Sequence, residues 1–225
     1  MTGTRVPLAF CMFLSAMFKS QEAAAPVPVE KEPLHHVVLK NDSVIVMHLS
    51  LQAGERTRYH THSHDRVAIY LSANTITQQN WNEKEGSPSD GKPGDFKAIT
   101  LLGDPLTHRV HNVGSSTFEV LDIEILRRQE SSLPPATSLV AGENPSARVY
   151  KWVLAPGGTT SMHTHVRPYL IVAATGFNLK MTASDGRSFT HELKAGDFHW
   201  VDTKVTHTLG NAGAKEGQIL EVELK

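Results

Sequence analysis

The tripeptide His-Thr-His occurs at His60-Thr61-His62 and again at His163-Thr164-His165, and each copy is followed some 40 residues on by a lone histidine, His108 or His207. Imidazoles at positions i and i+2 leave the same face of a β-strand, so each copy aims two ring nitrogens at one point. Neutral imidazole is the commonest protein ligand for divalent first-row metals. The candidate ligands are therefore His60, His62 and His108 in the first half and His163, His165 and His207 in the second. Tyr169 and Arg167 follow the second pair and are the candidates for handling a substrate. A neutral phenol can hydrogen-bond to a bound water or substrate, and a guanidinium can clamp a carboxylate or simply face solvent. His35, His36, His48, His111, His191 and His199 read as surface or hydrogen-bonded core groups.

The elements that would carry these histidines form one pattern written twice. Val44–Leu51 leads into Gly54, and Val149–Leu154 leads into Gly157; each glycine lies six residues before the first histidine of its pair. Apolar, β-prone segments follow both pairs, at 67–71 and 170–173. A turn-rich stretch comes next, long over 82–94 and tight at Asp185-Gly186, where a two-residue hairpin is expected. Gly94-Asp95-Phe96 and Gly196-Asp197-Phe198 open the region that ends in the third histidine, and alternating strands at 118–126 and 218–224 close each half. His60 and His163 are 103 residues apart, which is the length of one repeat. The glycines read as turn residues, and Asn112 and Asn211 as turn caps.

Composition agrees with an all-β protein of two small units. Apolar residues make up 40% of the 225, enough for real cores, while Gly and Pro are frequent and helical periodicity is scarce. A net charge of -1 with no basic block excludes nucleic acid as an obvious partner. Thr4-Arg5 followed by the apolar run 6–18 reads as a signal peptide over residues 1–25, which predicts secretion or a periplasmic location and no membrane association once it is removed. Cys11, the one cysteine, falls in that run, so the mature chain would have no thiol chemistry. The expected domains are an N-terminal barrel over 34–127, a Ser/Pro-rich linker over 128–145 and a C-terminal barrel over 146–225.

Each half resembles the two sequence motifs of the cupin superfamily, and the whole is similar to a bicupin. The first motif, a glycine, five residues, His-x-His, an acid four residues on and a later glycine, is matched by Gly157, His163, His165 and Gly176. Gly196, His207 and Asn211 match the second. The first-half counterparts are Gly54, His60, His62, Gly94, His108 and Asn112. The resemblance implies two double-stranded β-helix (jelly-roll) barrels, each with a metal in its interior.

Both halves depart from the family at the acidic ligand, where Arg66 and Tyr169 stand. That argues against the three-His, one-Glu site of manganese oxalate-degrading cupins. It resembles the three-His iron sites of thiol, diketone and gentisate dioxygenases instead. Fe(II) is then the expected ion, with Zn, Ni or Mn as alternatives, and the expected substrate is a small anionic chelator. Arg66 disfavours a dication in the first half unless it turns away or pairs with Asp65, and His64 could stand in as a ligand there. A second functional class stays open: a small-ligand or metal-binding module without turnover, or a barrel that kept its histidines without the ion. Barrels of this family commonly pair through an exposed sheet edge, which leaves room for a homodimer.

Overall fold

A computed structural model describes residues 25–101, 103–127, 136 and 138–225. The expected signal segment lies outside the described residues apart from its last position, as does half of the expected linker, residues 128–135 and 137. Among the described residues there are nineteen strands and one short 3-10 helix, Val29–Lys31, and no helix is long and apolar enough to cross a membrane.

The first ten strands are β1 (Val27–Pro28), β2 (His35–Lys40), β3 (Val44–Leu51), β4 (His60–His62), β5 (Arg66–Tyr70), β6 (Asn74–Asn80), β7 (Ser89–Gly91), β8 (Phe96–Ile99), β9 (Leu106–Asn112) and β10 (Phe118–Ile125). They form two facing five-stranded sheets, β1-β4-β9-β6-β7 and β2-β3-β10-β5-β8. The rest are β11 (Gly142–Glu143), β12 (Ala147–Leu154), β13 (His163–His165), β14 (Tyr169–Ala173), β15 (Phe177–Ala183), β16 (Ser188–Leu193), β17 (Phe198–Val201), β18 (Val205–Asn211) and β19 (Gly217–Leu224). Their sheets are β11-β12-β19-β14-β17 and β13-β18-β15-β16. The second barrel thus repeats the first strand for strand, except that β1, which lies parallel along β4, has no counterpart beside β13 among the described residues.

The two barrels share an apolar layer. Val44, Val46, Val67, Ile69, Leu121, Ile123 and Ile125 of the first pack with Ala147, Val149, Leu170, Val172, Leu220, Val222 and Leu224 of the second. Strands in this layer are covered on both faces, which is why every residue of β5 and β14 is buried. Alternation then has an unusual meaning in β10 and β19. Their residues 121, 123 and 125, and 220, 222 and 224, face the shared layer, so Asp122, Glu124, Glu221 and Glu223 point into the barrels.

Turns fix the register. Asn211 donates from Nδ2 to the Leu154 carbonyl (2.8 Å) and the Lys215 carbonyl (2.7 Å) and accepts the Gly213 N–H (2.8 Å); Asn112 does the same work in the first barrel. Gly157 at φ +75° and Gly54 at φ +78° turn the chain toward the paired histidines in a backbone region that other residues rarely adopt. The expected two-residue hairpin at Asp185-Gly186 is instead a three-residue turn, 184–186, with Gly186 at φ +84° and Ala183 N–H bonded to the Arg187 carbonyl.

Candidate metal centres

Strand pairing brings the second-half histidines together. β13 runs antiparallel to β18 with His163 directly opposite His207, and His165 lies two residues along on the same buried face. Nδ1 of His163 is 2.9 Å from the Ser161 carbonyl and so carries the proton, which leaves the Nε2 lone pair facing inward. That lone pair is 2.9 Å from Oε2 of Glu221, while Nε2 of His165 and of His207 lie 3.1 and 3.0 Å from Oε1. The last two contacts lack hydrogen-bond alignment, so these atoms face a shared point rather than one another. Lone pairs this close repel unless a proton or a cation lies between them. Adjacent ligands on an octahedral ion with bonds of about 2.1 Å would sit about 3 Å apart. The donor set His163, His165, His207 and Glu221 therefore fits a divalent metal ion.

Glu221 corrects the expectation that no carboxylate joins the site. The acid enters from β19, the strand paired with β14 in the same sheet, where Tyr169 lies opposite Glu223 and Ile171 opposite Glu221. The sequence signal was the pair of acids at alternate positions of an otherwise apolar strand in both halves, Asp122 with Glu124 and Glu221 with Glu223. Burial alone would raise the Glu221 carboxyl, but the imidazoles of His163, His165 and His207 hold it well below the usual carboxylate range. Burial likewise opposes the charge on His165, yet Glu221 and Glu223 outweigh it and raise this imidazole to about 9 in the absence of an ion.

Tyr169 is completely buried, its ring stacked on that of His165 at 4.1 Å and its hydroxyl without a hydrogen-bond partner among the described residues. Burial, followed by the charges of Glu221 and Glu223, raises the phenol above its ordinary value, so it stays a neutral donor. Beyond it opens a cavity of about 590 Å³ with mostly apolar walls, among them Ile171, Leu179, Met181, Phe189 and Val205. Arg167 is not among the residues that line it. It sits half-buried in the turn before β14, its backbone N–H 3.4 Å from Glu223.

The first barrel is built differently at the same positions. His60 faces His108 across the β4–β9 pair, and the rings of His60, His62 and His108 lie 4.7 to 5.2 Å apart. Asp122, the counterpart of Glu221, is taken by the guanidinium of Arg66, the counterpart of Tyr169. Arg66 therefore pairs with Asp122 and not with Asp65, which binds the Leu101 N–H (2.7 Å) and the Ser146 hydroxyl (2.7 Å). His64 does not stand in as a ligand; its partly exposed ring bonds to Glu124 at 3.1 Å. Burial, then the nearby charge of His35, lowers His60 to about 3, and burial also holds His62 and His108 well below the ordinary histidine value. His35 is hydrogen-bonded and buried, as expected of a core group, but its ring also lies 4.5 Å from that of His60. The cavity here is only about 70 Å³.

Comparison with known proteins agrees with this geometry. Residues 150–223 match the family described as the cupin domain. The beta-alanine degradation protein BauB of Pseudomonas aeruginosa is 32% identical over 95 residues, covering 42% of this chain and 99% of that protein. Among solved structures, AerE from Microcystis aeruginosa superposes with a TM-score of 0.55 at 13% identity over 86% of this chain and 98% of its own. A salicylate 1,2-dioxygenase from Pseudoaminobacter salicylatoxidans, in complex with gentisate, gives 0.58 at 12% identity, covering 88% of this chain and 76% of its own. With paired motifs, repeated barrels and these relatives in agreement, the chain belongs to the cupin family and carries two cupin barrels in one polypeptide.

Proposed function

We propose that the second barrel is a non-haem metal-dependent dioxygenase site for a small substrate with an anionic, chelating head and an apolar body. The observation that carries this reading is the apolar cavity of about 590 Å³, a size typical of small-molecule sites, beside the point where His163, His165, His207 and Glu221 converge; the ligand set itself is of the three-His, one-Glu type, and it is the apolar walls that favour a substrate larger than oxalate. Fe(II) held by these four residues would supply Lewis acidity and a site for O2. Three imidazoles and one carboxylate leave such an ion with a single net positive charge, which still favours an anionic oxygen donor. Tyr169 is placed to hydrogen-bond that donor, and its buried hydroxyl has no competing partner among the described residues. Ile171, Leu179, Met181 and Phe189 would pack against the substrate body and exclude water.

The salicylate 1,2-dioxygenase shares this fold and was captured with gentisate; that likeness supports including hydroxybenzoates among the compounds to test. Oxygen uptake by iron-loaded protein, screened against hydroxybenzoates, catechols and diketones, tests the proposal. Turnover that disappears in His163→Ala is the expected result. Binding of these compounds without oxygen uptake would replace the enzyme with a small-ligand-binding module. The apolar run near the N-terminus further supports export of the protein.

A further inference from the structure

The segment before β3 turns the first barrel into something its family motifs do not describe. β1 pairs with β4 in register Val27 to His60, and the short helix Val29–Lys31 then delivers Glu32 and His35 to the barrel. β2 sets His35 opposite Leu49, a core residue of the barrel interior, and His35 lines the small cavity with His60, His62 and His108. One ring nitrogen from each of His35, His60 and His62 falls within 4.8 Å of the others; His108 stands outside that set, its ring 4.7 Å from that of His60 and 5.2 Å from that of His62.

The outward nitrogens of His35, His60 and His62 are already committed, whereas neither ring nitrogen of His108 has a hydrogen-bond partner among the described residues. Nδ1 of His35 lies 2.8 Å from Glu32 Oε2, Nδ1 of His60 lies 2.9 Å from the Arg58 carbonyl, and Nδ1 of His62 lies 2.9 Å from Glu124 Oε1. Each such bond fixes the proton on Nδ1 and turns the Nε2 lone pair inward, the arrangement that outer partners impose on metal-ligating histidines. The Nε2 atoms of His60, His62 and His108 are buried and have no hydrogen-bond partner among the described residues. Buried nitrogens left this way cost free energy unless something occupies the point they share.

We propose that the first barrel holds its own divalent ion on His35, His60, His62 and His108, as a closed all-imidazole centre whose fourth ligand comes from the N-terminal segment. Four neutral nitrogens and no carboxylate suit a borderline ion such as zinc and not magnesium or calcium. Glu32 and Glu124 each lie one hydrogen bond behind a proposed ligand, where a carboxylate offsets charge on the ion. Asp122 adds none, since Arg66 neutralises it. A space of about 70 Å³ leaves no room for an aromatic substrate, so this centre stabilises the fold and does not turn over. The inference stands apart from the dioxygenase reading of the second barrel.

The test uses the full chain with the second centre disabled by His165→Ala and His207→Ala, stripped by chelation and titrated with Co(II). One equivalent with the intense visible absorption of tetrahedral cobalt is expected. Adding His35→Asn keeps an N–H toward Glu32 but removes the inward nitrogen. Affinity should then fall by more than about 100-fold, beyond the 10- to 100-fold cost of losing an outer hydrogen-bond partner. No binding in the parent variant, or a smaller loss on His35→Asn, overturns the proposal. Should these variants not fold, zinc-soaked crystals of the unaltered chain decide it by anomalous scattering. A peak about 2.1 Å from His35 Nε2 supports the site; no peak in the first barrel, or one beyond bonding distance of His35, sinks it.

Discussion

Asp122 and Glu221 occupy equivalent positions in the closing strands of the two barrels, yet Asp122 is held by the guanidinium of Arg66 and Glu221 by three imidazoles. One exchange of neighbours, arginine for tyrosine, thus separates a site whose carboxylate is occupied from one whose carboxylate faces the ligands.

Arg66→Ala should leave Asp122 buried without its partner and destabilise the metal-free protein by roughly 3 to 5 kcal/mol. Divalent metal should restore more stability to this variant than to the unaltered protein, because the freed carboxylate occupies the position equivalent to Glu221 and lines the small cavity with His60, His62 and His108. Thermal melts with and without metal check both parts. An unchanged melting temperature would mean that Asp122 does not depend on Arg66.

The two centres should respond to pH differently. Without an ion His165 is raised to about 9, so below that pH a metal must displace its proton, and affinity in the second barrel should rise between pH 6 and pH 9. His60, lowered to about 3, is already neutral there, and burial holds His62 and His108 well below the ordinary histidine value, so these three ligands should add little pH dependence in the first barrel. Titrations of chains carrying one intact centre each would show the contrast, and parallel slopes would refute it.

The same shift sets the stability of the metal-free fold. His165 is raised in the folded state, so its contribution is complete below the ordinary histidine value of 6.5 and is lost as pH climbs through about 9, a loss of up to roughly 3 kcal/mol. Chelated protein should therefore melt at lower temperature at pH 9.5 than at pH 6. A flat profile in His165→Ala would assign the effect.

Tyr169→Phe keeps the ring against His165 and deletes only the hydroxyl. If the phenol donates to the substrate head, kcat should fall by roughly 100-fold with metal content unchanged. Unaltered kcat would reduce Tyr169 to a packing group.

Asn211→Ala removes three hydrogen bonds that pin the end of β18, so a loss of roughly 3 kcal/mol is expected. Metal affinity should persist, since no ligand is touched. Denaturant melts and metal titration would separate the two effects.

The paired histidines were legible because i, i+2 spacing in a strand has only one geometric meaning, and the third histidine followed from the repeat. Glu221 was not, because alternation in a strand usually sorts apolar core from polar solvent faces, and β19 has no solvent face. Its acids point inward only because a second barrel covers its other side. His35 was hidden for another reason: its place depends on β2 pairing with β3 across an irregularity between Val37 and Leu39, and no sequence period reports that. Arg66 looked like a charge beside a dication, since its partner lay 56 residues away on another strand.

The layer in which Val46, Ile69 and Ile123 meet Val149, Val172 and Val222 belongs to neither barrel alone. Neither half can open without stripping the other's cover, so the polypeptide should unfold in a single cooperative transition, and an ion captured in one half should delay melting of both. Expressed separately, each half would bare a broad greasy face to water and aggregate.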